Sequence, residues 1–113
     1  MLLQNSVYHI LSRDESSYTI CFNASHPVFA GHFPGYPIVP GACLVQIAQE
    51  LLSDKTGAPV RFAGVRNLKF RQPVTPDMQV RYVLADNKIT IEDLDATQYA
   101  QFAVTYMCAH TDL

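Results

Sequence analysis

Apolar residues follow a helical repeat in one stretch of this chain and alternate with polar residues in several others. In segment 42–54, which lacks proline and glycine, the apolar residues lie at spacing i, i+3, i+4, i+7, i+8: Leu44, Ile47, Ala48, Leu51 and Leu52. This spacing predicts one amphipathic helix. The opposite face, expected to be polar, carries Gln46, Gln49, Glu50 and Ser53.

Short β-type segments flank this helix on both sides. Alternating or β-branched and aromatic runs occupy residues 7–11, 18–22, 60–70, 78–85, 88–92 and 99–109. The helix is expected to end at about Ser53, because Gly57 and Pro59 follow. The pattern therefore predicts an α+β domain, in which an antiparallel sheet of about five or six strands wraps around one central α-helix.

The composition limits the classes of protein to consider. A length of 113 residues predicts a single domain spanning 1–113, and a net charge of −2 argues against a nucleic acid as the main ligand. No run of about 20 apolar residues predicts membrane insertion, and the N-terminal residues do not resemble a signal peptide. Three widely spaced cysteines fit free thiols in the cytoplasm and form no metal-ligand pattern.

The segment before the helix contains the clearest candidate chemistry. Its sequence, 31–41, is G-H-F-P-G-Y-P-I-V-P-G, and its three prolines and three glycines predict a stiff loop that holds His32. A neutral imidazole is suited to act as a general base near neutral pH. The N–H groups at the start of the helix that follows are suited to stabilise a developing negative charge.

This loop resembles the active-site loop of the β-hydroxyacyl-[acyl carrier protein] dehydratases, whose pattern is G-H-F-P-G-x-P-x-x-P-G. A second match is R-F-A-G-V-R-N-L-K-F-R-Q-P-V-T-P-D at 61–77, and the resemblance covers about residues 22–110. It implies the hot-dog fold, a dimer with two shared active sites and no cofactor or metal. The implied reaction is dehydration of 3-hydroxyacyl-[acyl carrier protein] thioesters to trans-2-enoyl thioesters, in fatty-acid or polyene-type biosynthesis.

The resemblance also implies roles for individual residues. His32 would be the general base, and the Gly41 N–H would bind the thioester oxygen. The family's acid, a carboxylate fourteen residues after the histidine, would come from the helix of the other subunit, but this chain has Gln46 there. Glu50 follows one helical turn later, so it is either a displaced acid in the same cleft or a solvated helix residue. The substrate-binding candidates are Phe33, Pro34, Gly35, Pro40 and Ala42.

Two alternative functions, and the role of one basic surface, are undecided at this point. The chain could be a hot-dog acyl thioesterase in which Glu50 activates water, or a subunit of reduced activity that pairs with a homologous dehydratase. A homodimer and a heterodimer are therefore both compatible with the sequence. Four basic residues are either the polar face of a strand or a docking site for an acidic acyl carrier protein: Arg61, Arg66, Lys69 and Arg71.

Overall fold

The computed structural model describes residues 2–29 and 37–108. In this part of the chain the long helix α1 runs Gly41–Thr56, and a short 3₁₀ helix covers Pro27–Phe29. The strands are β1 Tyr8–Arg13, β2 Ser17–Phe22, β3 Val60–Phe70, β4 Gln79–Ala85, β5 Lys88–Glu92 and β6 Gln98–Cys108. The predicted limits of β3 and β5 are confirmed, and the other strands differ from their predicted limits by a few residues.

The local sequence sets both ends of α1. Pro40 precedes the helix in an extended conformation, with φ −58° and ψ 143°, and its carbonyl accepts the first helical hydrogen bonds. At the other end Gly57 adopts a left-handed φ of 75°, and its N–H donates to the Ser53 carbonyl at 3.0 Å. The helix therefore ends at Thr56, slightly beyond the predicted end near Ser53. No helix among the described residues is long and apolar enough to cross a membrane.

The six strands form one antiparallel sheet in the order β1-β2-β4-β5-β6-β3. Apolar side chains from α1 and from the inner face of the sheet make one continuous core. Ile47 and Leu51 of the helix are fully buried, as are Tyr82 and Phe102 of the sheet. One helix enclosed by a curved antiparallel sheet is the hot-dog fold, so the predicted fold class is confirmed.

Strand β3 forms one edge of the sheet and leaves much of its surface uncovered. The alternation of Phe62, Leu68 and Phe70 along the sequence does not produce one buried face, because two irregularities interrupt its pairing with β6. Leu68 is 46% exposed and Phe70 50% exposed. A long edge strand with exposed apolar side chains offers a surface for pairing with another chain.

Three tyrosines fasten the sheet to the helix through their hydroxyl groups. Tyr82 donates to the Leu44 carbonyl at 2.9 Å, Tyr18 to Asp54 Oδ2 at 2.7 Å and Tyr8 to Glu50 Oε1 at 3.0 Å. The three phenols come from β4, β2 and β1, so their hydrogen bonds tie three different strands to α1. Each hydroxyl thus reaches a polar partner while its ring fills the core.

Burial of Tyr18, with its hydrogen bond to Asp54, generates a prediction for alkaline solution. These effects raise the pKa of Tyr18 from 10.0 to about 12. Above pH 10 the unfolded chain releases this proton while the folded chain retains it, so the free energy of unfolding should fall as pH rises towards 12. The loss attributable to Tyr18 is about 1 kcal/mol at pH 11. Urea unfolding at pH 8, 10 and 11 measures it.

The Tyr18→Phe variant is the control for this experiment. It lacks the titrating phenol, so its stability should decline less steeply over the same pH range. An equal slope in the variant and the wild type would assign the alkaline loss to other groups.

Candidate active site

The predicted base and part of the predicted substrate-binding loop lie outside the described residues. His32, Phe33, Pro34 and Gly35 belong to segment 30–36, which the structure does not describe. The described chain resumes at residue 37 and enters α1 four residues later. The remaining predicted site residues can therefore be placed: those of the helix and its start fall into two groups, and the four basic residues lie on or directly after β3.

The first group is the start of α1. The N–H groups of Cys43 and Leu44 donate to the Pro40 carbonyl at 2.9 and 3.1 Å. No described residue accepts a hydrogen bond from the N–H of Gly41 or Ala42. No side chain of residues 2–29 or 37–108 caps this end, and its first turn contains no acidic residue. Two N–H groups at the positive end of the helix dipole can therefore stabilise a negatively charged oxygen.

A cavity of about 310 Å³ opens beside this helix start. Leu44 and Val74 line its wall, together with Phe70 and Arg71 at the end of β3. The ring of Phe70 lies against Gly41 so closely that a Cβ on residue 41 would be 2.8 Å from its Cζ atom. A side chain at this position would therefore have to displace the Phe70 ring, whereas the backbone itself sets no such limit, because the φ of Gly41 is not in the left-handed region.

The second group is centred on Glu50, whose carboxylate is buried and accepts four hydrogen bonds. Oε2 accepts from Leu3 N at 2.7 Å and from Gln46 Nε2 at 3.0 Å. Oε1 accepts from Gln4 N and from the Tyr8 hydroxyl, both at 3.0 Å. Because a carboxylate offers about four acceptor positions, this set of partners fills its capacity.

The N-terminal segment, residues 2–7, is what buries Glu50. It folds back over the helix, with the Val7 N–H donating to the Leu3 carbonyl at 2.8 Å. Only 7% of Glu50 is exposed, so the interpretation of this residue as solvated is wrong. Helical periodicity places Glu50 on the polar face of α1. It contains no information on the N-terminal segment, whose backbone N–H groups bury this side chain.

Tyr8 contributes to this cluster and was not identified from the sequence. It is fully buried, and burial together with the adjacent Glu50 charge raises its pKa far above the ordinary value. The phenol therefore remains a hydrogen-bond donor to the carboxylate. Alternation in 7–11 had marked Tyr8 only as a strand residue, because nothing local indicates a partner 42 residues away.

One copy of the chain does not bring the two groups together. Gly41 and Gln46 are five residues apart, which places them about 140° apart around the helix axis. Gln46 is half-buried and does not line the cavity beside Gly41. A site that uses both residues therefore needs a second helix.

The remaining predicted site residues are four basic side chains at the surface. Arg61, Arg66, Lys69 and Arg71 are all exposed on or directly after the edge strand β3, and no described carboxylate pairs with them. Burial raises the pKa of the Cys43 thiol, which is consistent with a packing role. The described residues contain no group of three or more His, Cys, Asp or Glu side chains suited to hold a metal ion.

Solved structures with the same fold support the class assignment. The dehydratase heterocomplex ApeI:P from Xenorhabdus doucetiae aligns over 89% of this chain and 95% of its own, with a TM-score of 0.65 and 19% identity. The E. coli PaaI protein aligns over 88% of this chain and 81% of its own, with a TM-score of 0.59 and 14% identity. At these identities the likeness defines the hot-dog fold alone.

The family follows from the sequence. Residues 9–108 match the family described as ApeI-like, ApeI dehydratase, so the chain belongs to the ApeI-like dehydratase family. The 3-hydroxyacyl-[acyl-carrier-protein] dehydratase FabZ of Koribacter versatilis is 49% identical over 61 residues, which are 47% of this chain and 39% of that protein. FabZ of Sulfurovum is 38% identical over 90 residues, which are 66% of this chain and 60% of that protein. The matched part spans less than two thirds of these curated relatives.

The contact between Gly41 and Phe70 predicts that alanine is tolerated at position 41. In Gly41→Ala the new methyl group meets the end of a half-exposed ring that can swing aside, and alanine favours the helix. The free energy of unfolding should therefore change by less than about 1 kcal/mol. NMR contacts between the Phe70 ring and the helix start should nevertheless change.

Gly57→Ala is the matched control, because its strain comes from the backbone alone. No atom of the described neighbouring residues lies within 4 Å of a Cβ at this position, but its φ of 75° is unfavourable for alanine. This variant should lose about 1 kcal/mol without disturbing Phe70. A larger loss in Gly41→Ala than in Gly57→Ala would mean that the ring is held in place.

Proposed function

We propose that this chain dehydrates 3-hydroxyacyl-[acyl carrier protein] thioesters to trans-2-enoyl thioesters, in fatty-acid or polyene-type biosynthesis. The observation that carries the proposal is membership of the ApeI-like dehydratase family over residues 9–108. The available N–H groups at the start of α1, next to a largely apolar cavity, supply a suitable setting for an acyl thioester. The three free cysteines agree with the proposed cytoplasmic location.

In the proposed mechanism His32 removes the α-proton of the thioester as general base. The electron pair moves towards the thioester carbonyl, whose oxygen accepts a hydrogen bond from the Gly41 N–H. An N–H donor fixed in this way contributes about 3–4 kcal/mol to stabilising an oxyanion. The bond between C3 and its hydroxyl oxygen then breaks, the C2–C3 double bond forms, and the hydroxyl must acquire a proton to leave as water. Phe33, Pro34, Gly35, Pro40 and Ala42 are proposed to bind the substrate around this centre.

The proton for the leaving hydroxyl is the unusual part of this site. Gln46 stands at the family's acid position, and an amide can hold a hydroxyl group but has no acidic proton to give. Glu50 is a carboxylate surrounded by four donors, so its geometry suits holding these groups in place. We propose that Glu50 holds neighbouring groups of the site in place and is not the proton donor.

A second subunit would complete the site. The separation of Gly41 from Gln46 around α1 favours a site shared between two helices, and the exposed edge β3 offers a surface for pairing. The ApeI:P heterocomplex from Xenorhabdus doucetiae is an assembly of two different proteins. We propose a dimer for this chain as well, either with itself or with a homologous hot-dog subunit that supplies the acid.

The proposed carrier of the substrate is an acyl carrier protein. Arg61, Arg66, Lys69 and Arg71 leave four exposed cationic side chains along or beside the strand that ends at the cavity. Arg71 itself lines the cavity, so a carrier docked on this strand could deliver its acyl group there. Clustered positive charge accelerates the approach of an acidic partner and orients it.

A hot-dog thioesterase is the less favoured alternative. That reaction would require Glu50 to bind and activate a water molecule. Each oxygen of Glu50 already accepts two hydrogen bonds from the protein, and the residue is buried. A water molecule would have to displace one of these donors.

The direct test is to incubate the chain, with and without a homologous partner, with a 3-hydroxyacyl carrier protein and to weigh the carrier by mass spectrometry. Loss of one water is expected, whereas loss of the whole acyl group would indicate a thioesterase.

His32→Ala should lower the rate by about 100-fold or more because it removes the base. The control His9→Ala, which alters an exposed histidine of β1, should retain the wild-type rate. A His32→Ala rate above roughly a tenth of wild type would exclude this base.

Gln46→Glu should increase dehydration by the chain alone. The new carboxyl would lie within hydrogen-bonding distance of Glu50, whose negative charge would raise the pKa of the new group and favour its protonated form. An acid restored at the family's position should raise kcat by about tenfold or more. Gln49→Glu, the same change on the same helix, should have no such effect. If Gln46→Glu brings no gain, the acid must come from a homologous subunit, and adding that subunit should restore turnover.

A further inference from the structure

The side-chain amide of Gln46 has a defined orientation because of its neighbour. Its Nε2 donates to Glu50 Oε2 at 3.0 Å, and the same oxygen accepts from Leu3 N at 2.7 Å. An ionised carboxylate accepts hydrogen bonds and donates none. The NH₂ end of the Gln46 amide must therefore face Glu50, and the opposite orientation would place two acceptor oxygens in contact.

This orientation leaves the other end of the amide available. No described residue donates a hydrogen bond to Gln46 Oε1, although the side chain is only half-exposed. A carbonyl oxygen in such a place accepts a hydrogen bond readily from a hydroxyl group. An amide can donate or accept hydrogen bonds, but the contact with Glu50 engages the NH₂ end of Gln46 and leaves its acceptor oxygen for a further partner.

We propose that Glu50 is a positioning residue that makes Gln46 an acceptor for the C3 hydroxyl of the acyl chain. The inference rests on the proposed function, in which Gln46 faces the substrate across the subunit interface. It assigns a specificity to this site: the Gln46–Glu50 pair selects thioesters with a hydroxyl donor at C3 over acyl chains without one.

The same carboxylate connects this selection to the N-terminal segment. Glu50 is held from the side opposite Gln46 by the backbone N–H groups of Leu3 and Gln4 and by the Tyr8 hydroxyl. A neutral glutamine at position 50 would bring its own NH₂ group against some of these donors. It would also no longer dictate which end of the Gln46 amide faces outwards. The negative charge at position 50 is therefore what fixes the orientation.

The experiment measures binding and needs no turnover. Two stable amide analogues of the pantetheine thioester are compared, one with the C3 hydroxyl and one without it, on the wild-type dimer or complex. The wild type should prefer the hydroxyl analogue by about three- to tenfold, the contribution of one neutral hydrogen bond. Gln46→Met, which keeps the length of the side chain, should remove the preference and leave the affinity for the analogue without hydroxyl unchanged.

Glu50→Gln should remove the preference as well, and the double variant should lose nothing more, because both changes break one unit. The control Tyr8→Phe removes a donor from Oε1, not from the oxygen that holds Gln46, and should retain the preference. Should Glu50→Gln fail to fold, Gln46→Met still decides whether the Gln46 amide accepts a hydrogen bond from the C3 hydroxyl group.

Two results would overturn the inference while leaving the proposed function intact. One is equal affinity of the wild type for both analogues, and the other is a preference that survives in Gln46→Met or in a folded Glu50→Gln variant. Failure to bind either analogue would be a different result. It would contradict the proposed function, and the inference that rests on it would fall with it.

Discussion

The hydrogen bonds to the Glu50 carboxylate join parts of the chain that are far apart in the sequence. A buried carboxylate without partners is costly, and a hydrogen bond to a charged group contributes about 1.5–3 kcal/mol. Here the backbone at Leu3 and Gln4, the phenol of Tyr8 and the amide of Gln46 all donate to it. The N-terminal segment, the first strand and the middle of the helix are consequently fixed relative to one another.

The start of α1 depends on a different constraint, which is the fit between glycine and an aromatic ring. Pro40 cannot continue a helix backwards, so the N–H groups without an acceptor among the described residues begin at Gly41. The absence of a side chain at that position lets Phe70 of the edge strand pack against the helix start. Helix start, ring and cavity therefore form one structural unit at the end of β3.

These two units lie on different sides of the same helix, and this arrangement explains why the proposed site needs two copies of the fold. A single helix cannot direct residues five positions apart to the same point. Two helices brought together can place the start of one opposite the middle of the other. The exposed outer half of β3, where Leu68 and Phe70 are uncovered, is the natural place for such pairing.

Sequence periodicity alone predicted the helix, the strands and the enclosure of one by the other, because repeats of 3.6 and 2 residues report which face of an element is apolar. Pro40, Gly41 and Gly57 likewise marked the helix ends through their own backbone preferences. The environment of Glu50 was decided only by tertiary structure, because three of its four donors come from residues 3–8, more than forty positions earlier. Two of these donors are backbone N–H groups, which every residue except proline has, so no sequence pattern can identify them. The packing of Phe70 on Gly41 is hidden in the same way, since the contact joins residues that are distant along the chain and depends on where the edge strand ends.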